Sequence, residues 1–483
     1  MVLSGFEPKA LWEHFEKITS IPHCSGNEEQ LADHLLSYAR DKNLEADKDK
    51  NGNVVIRIPA TKGHEKAPTV VLQGHMDMVC EKNSDVDHDF SKDALDLEVK
   101  EGWVTAKGTT LGADNGIGLA AALTFAEENE YVHGPLEILC TVDEEVGLTG
   151  AGKLEAGFVK GKIMLNLDSE EIGEVYIGCA GGGDSVIKLP LTFTDAPAGT
   201  KRFLLKVTGL RGGHSGIDIS EQRGNALKIL TRILLRLVRT QPCHLAGING
   251  GNKRNAIARE AEAELYVLDT AVDEVKEIIG EEKEYISAEL GGREHDLAIG
   301  LEPAGEKAQK VMDAGTQMKA LNLLEGIPHG VHAMSYDIEN LVETSNNLAT
   351  VGTSENEMVI CTSTRSSISS ALGALRETIR SISELAGAQI DIEEAYPGWK
   401  PNLDSNLLAV VKKVHKEQFG KEPEMKAIHA GLECGIIGEK FPGMDMISIG
   451  PWIEHPHSPE ERVNIESVGT FWKLLTAVLE ELA

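Results

Sequence analysis

The stretch that decides the reading of this chain is "VVLQGHMDMV", Val70 to Val79. A β-branched apolar run of the kind found in strands buried on both faces breaks off at Gly74-His75-Met76-Asp77. Open α/β sheets bind their ligands at the carboxyl ends of such strands. A strand delivering an imidazole and, two positions on, a carboxylate to that edge presents a nitrogen suited to a metal, because histidine ligands are commonly oriented by a nearby carboxylate.

Working outward, the bulk properties restrict what the chain can be. Its 483 residues exceed what one hydrophobic core usually serves, so two or three domains are expected. A hydrophobic fraction of 41% and a charged fraction of 26% are those of an ordinary globular protein. The formal charge of −30 repels a phosphate backbone, and an aromatic fraction of 5% gives little surface for stacking bases, so no nucleic-acid partner is expected. No apolar run is long enough to span a bilayer, and the N-terminal segment lacks the basic and apolar regions of a signal peptide. Seven cysteines without CxxC spacing do not form a disulfide framework or a thiolate cage. Cys80, Cys140, Cys179 and Cys361 adjoin apolar runs and are expected as buried free thiols in a reducing cytoplasm.

The alternation of patterns predicts an α/β protein with a largely parallel sheet covered by helices. "NVVIRIP" from Asn53, "LEILCTVDEEVG" from Leu136 and "KIMLNLDSE" from Lys162 read as strands, and "GIGLAAALTFAEENE" from Gly116 as a helix. Beyond "GCAGGGD" (178–184) the carboxylate-tipped strands stop and an α+β insertion follows. A short internal echo between "RNAIAREAEAELYV" from Arg254 and "NNLATVGTSENEMVICTSTR" from Asn346 raises the idea that the insertion is internally duplicated. The expected division is a catalytic domain made of 1–184 and 398–483, interrupted by an inserted domain of 185–397.

Four further phrases join the first. "LGADNGIG" places Asp114 in a glycine-flanked turn ahead of a helix, where a lone aspartate would ordinarily be a turn or capping residue. "TVDEEVGLTGAG" ends a buried run on Glu144 and Glu145, and "LNLDSEE" ends another on Asp168. "EHPHSPEE" holds His455 and His457 in a proline-rich loop. Carboxylates mixed with imidazoles suit zinc, with cobalt and manganese as alternatives, better than copper or calcium. His75 and Asp168 on one ion, Glu145 and His457 on a second, and Asp114 between them form a compact pair of sites, leaving Glu144 to move a proton. No dinucleotide fingerprint, phosphate loop or G-x-S-x-G elbow competes. The basic "LTRILLRLVRT" reads as a core-facing helix of the insertion, and "DEVKEIIGEEKEY" as a solvated helix face.

Together the five phrases resemble those of the co-catalytic dizinc exopeptidases, the family of carnosinases, aminoacylases and tripeptidases. The likeness runs from "LWEHFEKITSIPHCSGNE" to "HPHSPEERVNI", nearly the whole chain, and is greatest to members that cleave Xaa-His dipeptides. It implies two metal ions held by His75, Asp114, Glu145, Asp168 and His457, with Asp114 bridging, Asp77 orienting His75 and Glu144 as general base. His455 is the second candidate for the place of His457. The resemblance also implies a cis peptide after Asp114, and makes the insertion a lid in which His214 of "GLRGGHSGIDI" stabilises an oxyanion. Asn255, with Asn347 as alternative, and Arg365 are implied to hold a substrate carboxylate, though Arg365 could instead pair with an acidic lid residue. The implied activity is hydrolysis of unblocked dipeptides with a preference for C-terminal histidine, by a monomer or homodimer. A tripeptidase, an N-acyl amino acid deacylase and a non-catalytic peptide-binding protein are the rivals. The chain departs from several relatives at "HAGLECGII", where Glu433 could face a substrate amino group or cap a helix.

Overall fold

The computed structural model describes residues 2–127, 131–305 and 310–483. The chain forms two compact units, one of Met1–Cys179, Trp399–Ala427 and Leu432–Ala483, the other of Ala180–Gly398 and Ile428–Gly431. The second is thus an insertion that the chain re-enters briefly at Ile428–Gly431, a return absent from the division into 1–184, 185–397 and 398–483.

The first unit is built on an eight-stranded sheet. Its centre is parallel: Leu136–Thr141, Val70–His75, Ile163–Asn166 and Asp445–Ser448 lie side by side in that order. Antiparallel strands flank it, Val54–Ile58 and Glu45–Lys48 on one edge and Glu174–Cys179 beside Asp445–Ser448 on the other. The sheet is therefore mixed, with the parallel character concentrated where the ligand-bearing phrases sit. Register explains why those phrases converge. Val70 pairs with both Leu136 and Ile163, so the three strands end level and release His75, the 143–145 segment and Asp168 at one edge.

Burial drives this arrangement. Every residue of Val70–His75 and of Leu136–Thr141 is buried, so these strands have no polar face. The helix Ala113–Thr124 is apolar almost all round and packs on Val70–His75 and on the helix Lys9–Ile18. The helix expected from Gly116 to 130 stops earlier, at Thr124; 125–127 form a turn, and 128–130 lie outside the described residues. Leu72 sits fully buried at the sheet centre. Leu72→Ala is expected to lower stability by about 2–5 kcal/mol, read as a lower urea midpoint, and an unchanged midpoint would contradict this packing.

One expectation is corrected here. Cys80 is not a free thiol: it forms a disulfide with Cys24, Cα to Cα 5.7 Å. Cys24 reaches it because the loop after the first helix runs alongside Met78 as a parallel bridge, a meeting of distant segments that spacing along the chain does not reveal. Cys140, Cys179 and Cys361 are buried and free, as expected.

The second unit is an antiparallel nine-stranded sheet with helices Ala226–Thr240, Val272–Leu290, Ala314–Gly326 and Ser369–Ala386 contributing to its core. The two echoing segments are not equivalent: the first supplies one strand, Ala261–Leu268, which pairs with Cys243–Gly250, whereas the second spans most of a hairpin, Val342–Thr353 with Glu357–Ser366. The two hairpins join at Gly250 and Val351. "LTRILLRLVRT" belongs to the helix Ala226–Thr240, whose Leu and Ile residues lie in the core while Arg232 and Arg236 pair with Glu281, Glu282 and Glu289.

Candidate metal centre

The His75 ring is placed by its backbone. Nδ1 lies 2.8 Å from the carbonyl oxygen of Asp77 and donates to it, which turns Nε2 toward the cluster. The Asp77 carboxylate, 3.5 Å from the ring, has other work. It accepts the backbone N–H groups of Glu144 (2.9 Å) and Glu145 (3.2 Å) and the Ser25 hydroxyl (2.8 Å). Asp143 adopts a left-handed conformation (φ +54°), turning the chain into the short helix Glu144–Gly147, so the adjacent glutamates leave strand geometry.

Asp114 opens the long helix after a cis peptide to Asn115. Gly74 allows this close approach, since a Cβ there would lie 2.1 Å from the Asn115 side chain. His457 comes from the loop between the paired strands Ile453–Glu454 and Arg462–Asn464. His455 and His457 both have left-handed backbones (φ +55° and +61°), a conformation that costs a non-glycine residue on the order of 1–3 kcal/mol.

These pieces meet around Asp114. Its Oδ1 lies 3.0 Å from His75 Nε2, and that nitrogen lies 3.3 Å from Asp168. Its Oδ2 lies 3.1 Å from His457 Nε2, which lies 3.0 Å from Glu145. One carboxylate therefore faces two separate pairs of donors. Among the described residues, potential ligand atoms gather in three groups: His75–Asp114–Asp168, Asp114–Glu145–His457 and His75–Glu144–Glu145. His455 belongs to none of them.

The electrostatics fit cations. Burial raises the pKa of Asp168 to about 7, with Asp114 and Glu433 adding to the effect. Burial likewise raises Glu145 and, more strongly, Glu144, which nearby carboxylates push further. Burial also works against the charge on Asp114, but two imidazoles outweigh it and hold that carboxyl low. Among the described residues no Lys or Arg pairs with any of these four acids. Among the described residues, Glu145 Oε1 and Asp168 Oδ1 are buried without a hydrogen-bond partner. Ligand atoms on a tetrahedral zinc with bonds of about 2.0–2.1 Å stand about 3.3 Å apart, close to the 3.0–3.3 Å spacings here. The cluster is suited to divalent ions.

Glu461 was not singled out in the sequence, although it ends "HSPEE". It is 2% exposed and accepts the backbone N–H groups of Leu111, Gly112, Ala113 and Asp114. Glu433 neither faces open solvent nor caps its helix. It is fully buried and accepts hydrogen bonds from Gln73 (2.6 Å) and Thr141 (2.7 Å), with burial raising its pKa to about 7.

His214, Asn255 and Arg365 belong to the second unit. His214 Nδ1 accepts from the N–H groups of Gly216 (3.2 Å) and Ile217 (3.0 Å), so its proton is on Nε2. Burial, followed by Arg365, lowers its pKa and keeps it neutral. Arg365 is buried, donates to Tyr396 Oη at 3.0 Å and pairs with no carboxylate among the described residues; its Nε is left over. The Asn255 side chain is exposed, whereas Asn347 is buried and donates to the Ala256 carbonyl. Sequence reasoning also missed His429, which sits in the brief re-entry into this unit. Its Nε2 lies 2.8 Å from Ser345 Oγ, and burial, Arg365 and His214 lower its pKa to about 3.

The model of peptidase family M20/M25/M40 matches residues 71–481. The cytosol non-specific dipeptidase of Escherichia coli K12 is 44% identical over 481 residues, 99% of each chain. The crystal structure of aminoacylhistidine dipeptidase from Vibrio alginolyticus superposes with a TM-score of 0.94 at 44% identity, covering 99% of this chain and 98% of that one. The aminopeptidase PepT of Bacillus cereus shares the fold, with a TM-score of 0.57 at 17% identity over 99% of both chains.

Proposed function

Because the chain belongs to peptidase family M20/M25/M40, we propose that it is a metallo-dipeptidase whose centre is the cluster around Asp114. It hydrolyses the peptide bond of dipeptides, the activity named in both full-length relatives. The observation that carries the dimetal reading is the division of Asp114, one oxygen turned to His75 and the other to His457. His75 and Asp168 hold one ion with it, and Glu145 and His457 the other. The donor set suits zinc, and accepts cobalt or manganese. Ions bound there supply Lewis acidity, acidifying water and polarising a carbonyl oxygen.

The protein's own groups do the rest. Glu144 takes the proton of the attacking water and delivers it to the leaving amine. His214 offers Nε2–H to the carbonyl oxygen as negative charge develops, a role supported by the two N–H groups occupying its Nδ1. Arg365 holds a substrate carboxylate through its fork, supported by its burial without an acidic partner. Asn255, exposed in its loop, assists as a polar contact.

The substrates are unblocked dipeptides, with Xaa-His among the preferred ones. The Vibrio relative's name supports that preference, and the name of the E. coli relative favours a broader range. A panel of Xaa-His and other dipeptides, tripeptides and N-acetyl amino acids tests it. Dipeptides should turn over fastest; faster release from acetylated amino acids would replace the reading with a deacylase. The proposed compartment is the cytoplasm, supported by the name of the E. coli relative. No helix among the described residues is long and apolar enough to cross a membrane. The Cys24–Cys80 disulfide weighs against a reducing compartment.

A further inference from the structure

We propose that Glu461 is a positioning residue for the metal pair, clasping the turn that presents Asp114 to the loop that presents His457. The inference rests on the dimetal reading.

Glu461 lies four residues beyond His457 in the same hairpin loop. That loop is internally tied: Glu461 N–H donates to the Ser458 carbonyl (3.0 Å) and Ser458 Oγ to the His455 carbonyl (2.8 Å). Thr105 Oγ1 donates to the Glu461 carbonyl at 2.9 Å, fixing the loop to the strand Trp103–Ala106, which pairs with Arg462–Asn464. The side chain then reaches across to a segment remote in sequence. Oε2 accepts from Leu111 (2.7 Å) and Gly112 (3.0 Å), and Oε1 from Ala113 (2.8 Å) and Asp114 (3.3 Å).

Successive backbone N–H groups that converge in this way form a cradle for an anion, here at the start of the helix Ala113–Thr124, where unpaired N–H groups and the helix dipole both favour negative charge. Gly112 makes the convergence possible, since its φ of +68° belongs to the left-handed region. The last N–H in the series belongs to Asp114, the residue whose two oxygens face His75 and His457. The clasp thus connects the carboxylate between the two groups with the loop bearing one imidazole, and fixes their separation. A glutamine cannot replace it. Its amide keeps one acceptor oxygen and turns an NH2 donor toward N–H groups that are themselves donors.

The experiment uses the full chain with zinc as the probe. Zinc affinity is measured by competition with a chelating dye, and kcat and KM on a dipeptide are measured for the wild type, Glu461→Gln and Glu461→Ala. The expected result is metal binding weaker by about 10–100-fold, with kcat falling and KM little changed in both variants. A purely structural cap would lower the unfolding midpoint and leave zinc affinity and kcat of the folded enzyme at wild-type values, and that result overturns the proposal. Should Glu461→Ala fail to fold, the isosteric Glu461→Gln decides alone. The wild type separates this inference from the one beneath it. If it binds no zinc, the dimetal reading falls and takes the clasp with it; if it binds zinc and the variants match it, only the clasp falls.

Discussion

Glu144→Gln is expected to reduce dipeptide turnover by on the order of 10²–10⁴-fold, the range for loss of a general acid–base group, while the protein keeps its metal. Glu144 lies outside the two ligand sets that share Asp114, and no hydrogen bond or ion pair holds its carboxylate among the described residues. Its backbone is fixed by the Asp77 carboxylate, so the side chain starts from a defined point beside the cluster. Burial raises its pKa well above the ordinary carboxylate range, and Asp168, Glu433 and Glu145 add to that. A basic carboxylate is what proton abstraction from water requires. Glutamine preserves size and removes the proton-accepting oxygen. Metal analysis beside kinetics separates the outcomes: a variant with wild-type kcat refutes the role, and one that loses metal together with activity makes Glu144 a ligand.

Asp114→Ala is expected to lose both ions together. Among the described residues, its two oxygens are the only side-chain group common to the His75–Asp168 and the Glu145–His457 pairs. Without it each pair keeps one imidazole and one carboxylate, too few for a closed protein site. The metal pair supplies several kcal/mol of transition-state stabilisation, so turnover should fall on the order of a thousandfold or more. Added zinc should restore little. Retention of both ions at wild-type affinity would show that Asp114 does not bridge. Because Glu461 acts through the backbone of this residue, its variants should resemble a milder form of this one.

The residues behind these effects differ in legibility for a physical reason. Strand ends are visible in a sequence because burial imposes an apolar run and a carboxylate or imidazole breaks it. That is why His75, Glu144, Glu145 and Asp168 could be selected from their phrases. In-register parallel strands then bring them to one edge without further instruction. Loops that meet from distant parts of the chain leave no such trace. Glu461 accepts from N–H groups about 350 positions away, and nothing in "HSPEE" points to them. The Cys24–Cys80 disulfide and the return of Ile428–Gly431 to the second unit are hidden for the same reason. Glu433 illustrates the converse. Its sequence neighbourhood leaves a substrate amino group or a helix cap as its partners, yet Gln73 and Thr141, both in buried strands, give it hydrogen bonds inside.

The interrupted architecture has a consequence for how the protein comes into being. His75, Asp114, Glu145 and Asp168 lie ahead of the insertion, and His457 with Glu461 lies behind it. At ribosomal speeds of roughly 5–20 residues per second, several tens of seconds on the lower side of that range separate the emergence of Asp168 from that of His457. For nearly all of that interval the nascent chain carries most of the donors and an unfinished sheet lacking Asp445–Ser448. Hydrolytic competence is therefore postponed until the whole inserted unit has been made.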